Sequence, residues 1–328
     1  MKTESFAKER WLPLLFGAAC LGAVAIVVQH FSAEEEFARL AHQTNPVWLL
    51  AALGLQAITY LAQGEIWRNA GKSSGSTLSI WTVYKLALIK LFVDQALPSA
   101  GFSGTIVVAR LLGHHALRRP VVSAILVIST TSFFFAYVVS LTGALMFLFF
   151  TGRNAALIIV PSILFMVSGV ALSVAMIGLS GRNLVQHLGR FGRFAVVQNA
   201  LSAMREADGE LVRNIQIQVR AALYQALTFL LDGVTLWMLL RSLGVAASPA
   251  HAFASFMIAN LVRTIGIVPG GLGTFEATAV LMLKMDGISV AAALSATVLF
   301  RLVTFVLPMA PGLWFSRHLL RQHHPRPV

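Results

Sequence analysis

Glu276 stands three residues after the string PGGLG, and Arg301 follows it in a stretch that is otherwise apolar. A carboxylate at that spacing falls in the first turn of a helix that restarts after the glycines. There the unpaired N–H groups and the helix dipole favour negative charge. It can hold an amine, carry a proton, or pair with Arg301, and these roles are compatible. Arg301 and Arg263 offer a planar fork of donors that matches phosphate oxygens, or equally the carbonyls that a broken helix leaves free. Lys90 and Asp94 sit four apart, the spacing of an internal helix pair. Glu65 and Asp232 can line a polar route. Glu65 lies beside Arg68, which favours an exposed pair near the end of a span, and Asp232 lies deeper.

These residues cluster around two breaks, PSAGFSGT at Pro98 to Thr105 and PGGLGTFEA at Pro269 to Ala277. Pro98 and Pro269 end helices, while Gly101, Gly104, Gly270, Gly271 and Gly273 permit left-handed backbone and close approach. Such glycines can aim backbone N–H groups at an anion, or simply make a tight turn and let helices pack. Arg110 follows the first break. His187, His114, His115, His323 and His324 have no metal-ligand spacing, and no nucleophile motif or phosphate-binding loop is present, so no metal, cofactor or catalytic set is expected.

The elements that must position these groups are membrane helices. Hydrophobic residues make up 57% of the 328 and charged residues 12%, with a mean hydropathy of +0.77, the composition of a polytopic membrane protein. The net charge of +12 sits in short loops, where it orients the chain and meets phospholipid. It does not point to nucleic acid. The single cysteine, Cys20, lies in the first apolar run and excludes an intrachain disulfide. That run stays apolar through Val28, which argues for a retained helix over a cleaved leader.

Judged against the roughly 20 residues needed to cross hydrocarbon, the spans are 11–28, 47–67, 121–150, 155–179, 219–240 and 290–315. Segments 78–97 and 250–268 run into the breaks, and the pieces after them, 105–112 and 275–285, are too short to cross. If each broken segment returns to its own side, Arg110, Arg118, Arg119, Arg182, Arg190 and Arg193 collect with both termini in the cytoplasm. Arg39, Arg153, Arg241 and Lys284 remain outside, a strong positive-inside asymmetry.

The expected fold is therefore all-α, with six spanning helices and two re-entrant hairpins in an inverted repeat. It divides as a first helix and outer loop (1–46), a first repeat (47–150), a linking helix and amphipathic cytoplasmic connector (151–218), a second, inverted repeat (219–316) and a basic tail (317–328). Together these form one transmembrane domain. Apolar segments also align by chance, so the repeat rests on details. Each break follows a span with an acidic residue, Glu65 or Asp232, and each descending arm carries a cation, Lys90 or Arg263. Broken helices are tolerated in a bilayer only where protein or a watery cavity satisfies the backbone, and they mark transport sites.

PGGLGTFEA followed by a half helix and then FRLVTFVLPMAPG at Phe300 to Gly312 resembles the flippase-like transmembrane family named for lysylphosphatidylglycerol synthase. LPSAGFSG with Arg110 is similar to that family's first glycine-rich segment. The resemblance covers roughly 47–312 and extends to stand-alone members such as the hopanoid-associated membrane proteins. About a dozen residues follow Phe315, so the resemblance implies translocation without synthesis. The substrate would be an anionic or aminoacylated phospholipid, a hopanoid or a polyprenyl-linked lipid, crossing a bacterial inner membrane by alternating access between the hairpins. Partners would be membrane lipids, a second copy, or a lipid-synthesis enzyme. The other readings are a membrane-embedded enzyme or enzyme partner acting on a lipid-linked substrate, and a scaffold that transports nothing.

Overall fold

A computed structural model describes residues 42, 44–96, 102–114, 117–152, 156–181, 195–265, 271 and 273–322. The expected first span, the centres of both breaks, part of the connector and the end of the tail lie outside them. Regular structure among the described residues is helical. In order it comprises α1 (Pro46–Ser73), α2 (Ile80–Ala96), α3 (Phe102–His114), α4 (Arg119–Phe150), α5 (Ala156–Leu179), α6 (Ala195–Glu206), α7 (Gly209–Arg213), α8 (Ile215–Ser242), α9 (Pro249–Ile265), α10 (Thr274–Met285), α11 (Val290–Arg301), a π turn (Leu302–Val306) and α12 (Leu307–Gln322).

Five stretches are long and apolar enough to cross a membrane: Pro46–Ser73, Arg119–Phe150, Ile158–Leu179, Ile215–Ser242 and Val290–Arg317. They coincide with five of the expected spans, and the sixth, 11–28, falls among the undescribed residues. The protein is a multi-pass membrane protein. α2, α3, α9 and α10, of 17, 13, 17 and 12 residues, rise only about 1.5 Å per residue, so none reaches across the roughly 30 Å of hydrocarbon.

The chain forms two compact units. The first comprises residues up to Gly54, Ile89–Gly104 and Val234 onward, so it gathers the residues flanking both breaks. Here α9 and α10 pack as antiparallel arms. Their open end is joined by His251 and Asp286, 3.7 Å apart, and Phe256, Phe275 and Phe300 fill the space between α9, α10 and α11. α11 and α12 form the last span, with a π turn between them. Pro308 has no N–H and its ring crowds the carbonyl four residues back. The chain widens just before it into the π turn, where the Leu307 N–H donates to the Leu302 carbonyl.

The second unit comprises Leu55–Leu88 and Thr105–Gly233. Tyr137 of α4 joins Phe165 of α5 and Phe229 of α8, with ring centroids 4.9 and 5.1 Å away. α6 and α7 belong to the connector expected to lie along the cytoplasmic interface. Their described part is held to neighbouring helices. The Asp208 N–H donates to the Pro120 carbonyl, the Gly181 N–H to the Met204 carbonyl and Arg213 Nη1 to the Ser180 carbonyl, while Val212 is fully buried. Of the apolar residues that stand among its arginines, Met204, Leu211 and Val212 are buried against protein.

α1 meets α2 at Gly64, where an added Cβ would stand 3.0 Å from the Val83 backbone carbon and side chain. A β-branched residue has no room there. Gly64→Val is expected to cost about 1–3 kcal/mol through overpacking, read as a lowered melting temperature in detergent. Gly54→Ala, on an open face of the same helix, should leave the melting temperature unchanged or slightly raised.

Candidate functional site: two capped helix breaks

The second break is held by three residues from its two sides. Gly271 and Gly273 have φ of 64° and 82°, left-handed conformations that glycine adopts without strain. They turn the chain into α10. Glu276 then reaches back to accept the Gly273 N–H at 2.7 Å through Oε2. Its other oxygen, Oε1, accepts Arg301 Nε at 2.7 Å. Arg301 also donates through Nη2 to the Gly271 carbonyl at 3.2 Å, so one guanidinium serves both the carboxylate and a carbonyl freed by the break. Its carbon lies 4.5 Å from the Phe275 ring centroid and 5.7 Å from that of Phe305, distances at which an aromatic face attracts a cation. The expected pairing of Glu276 with Arg301 is thus made, with the arginine side chain 8% and the carboxylate 18% exposed.

Arg263 lies at the end of α9 beside the same turn. Its Nε and Nη2 donate to the Asn260 side-chain oxygen at 3.0 and 2.6 Å, and its aliphatic stem lies so close to Gly271 that any Cβ there would overlap it. The charge of Arg263 is met here by a neutral amide, whereas that of Arg301 is met by a carboxylate. Asn260, 2% exposed, was missed in the sequence. The signal was there: one amide in the apolar run FMIANLV, three residues before the arginine.

The first break follows the same plan. Lys90 Nζ lies 2.6 Å from Asp94 Oδ2, the expected pair. Asp94 Oδ1 accepts the Gly104 N–H at 2.8 Å and so caps the first turn of α3 from the opposite arm. A Cβ at Gly104 would overlap this carboxylate and the Lys90 carbonyl. In both breaks a carboxylate accepts an N–H at the start of the helix that follows and pairs with a cation.

Not every expected residue joins these groups. Arg110 is exposed on α3 in the second unit. Asp232 also lies in the second unit, where it accepts Gln56 Nε2 at 3.0 Å. Glu65 forms the expected pair with Arg68 at 2.9 Å. Pro98, Gly101, Pro269 and Gly270 fall outside the described residues. The described residues contain no metal-binding group of three or more His, Cys, Asp or Glu side chains.

Several long apolar helices and two short helix pairs, each closed by an acid and a base at a glycine break, define a multi-pass helical membrane protein. The family model described as the lysylphosphatidylglycerol synthase TM region matches residues 10–312. The chain therefore belongs to the lysylphosphatidylglycerol synthase transmembrane-region family. It is 21% identical over 316 residues to a UPF0104 membrane protein of Methanothermobacter thermautotrophicus, covering 91% of this chain and 92% of that protein. A UPF0104 membrane protein of Methanocaldococcus jannaschii is 22% identical over 82% of this chain and 84% of its own length. A phosphatidylglycerol lysyltransferase of Bacillus subtilis is 31% identical over 88 residues, 27% of this chain and 10% of that enzyme.

Glu276→Leu leaves Arg301 buried without its carboxylate and should cost about 3–5 kcal/mol. The double change Glu276→Leu with Arg301→Met removes both charges and should cost clearly less than the two single changes added. Melting of all four proteins in detergent measures this, and simple additivity would show that the pair is not coupled.

Proposed function

We propose that this protein moves an amphipathic lipid from one leaflet of its membrane to the other without making or breaking a covalent bond. The observation that carries the reading is the charge on Arg263, held at the second break by a neutral amide beside a neutralised Arg301. A guanidinium so placed suits a phosphate, whose oxygens match its donors. Family membership supports a lipid substrate, as does the lysyltransferase name of one relative. The anionic headgroup would stop at the break while its tails stay in hydrocarbon.

On this reading α2–α3 and α9–α10 are re-entrant hairpins entering from opposite faces, the halves are inverted repeats, and alternating access proceeds by their rocking. The membrane is a bacterial inner membrane with both termini in the cytoplasm. In support, each hairpin arm is too short to cross, and the open end of α9–α10 is drawn together by His251 and Asp286. The match to a lysyltransferase also favours a second reading, a membrane partner of an enzyme acting on a lipid-linked substrate. That reading requires a soluble donor, whereas translocation requires two compartments.

Reconstitution in liposomes separates them. The intact protein should accelerate exchange of headgroup-labelled phosphatidylglycerol, and Arg263→Ala should reduce that acceleration about tenfold, the worth of one good charge-assisted contact. Arg263→Lys should recover part of it. The reading fails if no lipid class, anionic or zwitterionic, is moved. Topology is checked in a Cys20→Ala background: a membrane-impermeant thiol reagent added outside cells should label Lys284→Cys and spare Arg118→Cys. The reverse pattern overturns the proposed orientation.

A further inference from the structure

Both breaks are flanked by residues of the first unit, where charged groups can be matched one by one. At the first break Lys90 and Asp94 balance. At the second, Glu276 balances Arg301, and Arg263 is left over. Among the described residues no carboxylate pairs with Arg263. The two arginines meet at one glycine. The Arg263 stem fills the space that a Cβ of Gly271 would need, and Arg301 Nη2 donates to the Gly271 carbonyl. Two guanidiniums and one carboxylate around that residue leave one positive charge in excess.

Asn260 preserves the excess. Its Oδ1 accepts both Nε and Nη2 of Arg263, the edge of the fork that a carboxylate would otherwise grip. Aspartate has the same shape as asparagine, so an acid would fit there and cancel the charge; the amide fixes the guanidinium and leaves it charged. Arg263 Nη1 has no acceptor among the described residues. Thr264 beside it and Gly273 across the turn are exposed, so the break is open to a ligand. The carboxylates at the breaks, by contrast, are committed. Glu276 accepts Arg301 Nε and the Gly273 N–H, and Asp94 accepts Lys90 Nζ and the Gly104 N–H. A phosphate arriving at the second break meets an uncancelled cation. An amine arriving there meets the same cation and carboxylates already engaged.

We infer that the second break selects lipids by net headgroup charge, taking a phosphodiester lipid whose headgroup carries no amine. Asn260 is the residue that sets this preference, by positioning Arg263 without neutralising it. The inference rests on the lipid-translocation reading and narrows it: aminoacylated lipids keep the phosphate but are rejected through like charge, a repulsive element of the kind that makes sites specific.

Phosphatidylglycerol and lysylphosphatidylglycerol share the phosphodiester and differ in the lysyl amines. Their competition for the detergent-solubilised protein, read by native mass spectrometry, measures the preference apart from any movement across a bilayer. The intact protein should favour phosphatidylglycerol about tenfold, the worth of one charged contact. Asn260→Asp and Arg263→Gln remove the excess charge by opposite means, and each should bring the ratio to about one. Asn260→Ser stays neutral and should keep the preference even where both affinities fall. Equal binding by the intact protein, or preference for the lysyl form, overturns the selection. So does a preference retained in Arg263→Gln, which decides the matter if Asn260→Asp does not fold. A preference retained in folded Asn260→Asp, or lost in Asn260→Ser, overturns the role of Asn260. In liposomes, movement of both lipids at equal rates overturns the selection and leaves translocation standing. Selective binding with no movement of any lipid leaves the site standing and overturns the translocation reading.

Discussion

The second break depends on one buried ion pair. A chain interrupted by left-handed glycines within an apolar span leaves N–H and C=O groups that hydrocarbon cannot satisfy. Glu276 and Arg301 meet that demand together, one accepting the Gly273 N–H and the other donating to the Gly271 carbonyl. Each charge makes the other tolerable. Because Arg301 arrives from the following span, the break is closed by the tertiary fold and cannot be closed by its own loop. The Phe275 ring lies 4.5 Å from the Arg301 guanidinium carbon and is itself stacked on Phe300 at 5.6 Å.

The first break reaches the same result with a local cation. Lys90 is on the same helix as Asp94, so the pair forms within α2, and only the Gly104 N–H comes from α3. Gly104 is needed for that approach, since a side chain would occupy the space of the carboxylate. The two breaks therefore share a capping carboxylate and differ in where its counter-charge comes from.

Much of this was legible in the sequence. Hydropathy placed five of the spans and all four short helices to within a few residues, because length against bilayer thickness is a simple constraint. The three ion pairs followed from helical spacing for Glu65–Arg68 and Lys90–Asp94, and from the high cost of unpaired intramembrane charge for Glu276–Arg301. Asn260 and Gln56 were passed over because a single amide in an apolar run carries no periodic signal, and its worth appears only when the partner across the fold is known. The contacts of α6 and α7 with Pro120 and Ser180 were likewise hidden, since they join residues far apart in the sequence. The π turn was foreshadowed by Pro308, but a proline in a span can kink, break or widen a helix, and packing decides which.

That π turn sets the relation between the two ends of the last span. Relative to an α-helix it inserts one residue between Arg301 and α12, and one residue is about 100° of rotation. The face that α12 presents is therefore fixed by Pro308 and the turn before it, while the direction of Arg301 is fixed by α11. A straight helix would tie these two directions together. Here they are set independently, so α12 can be turned toward its own surroundings without rotating the arginine away from the break.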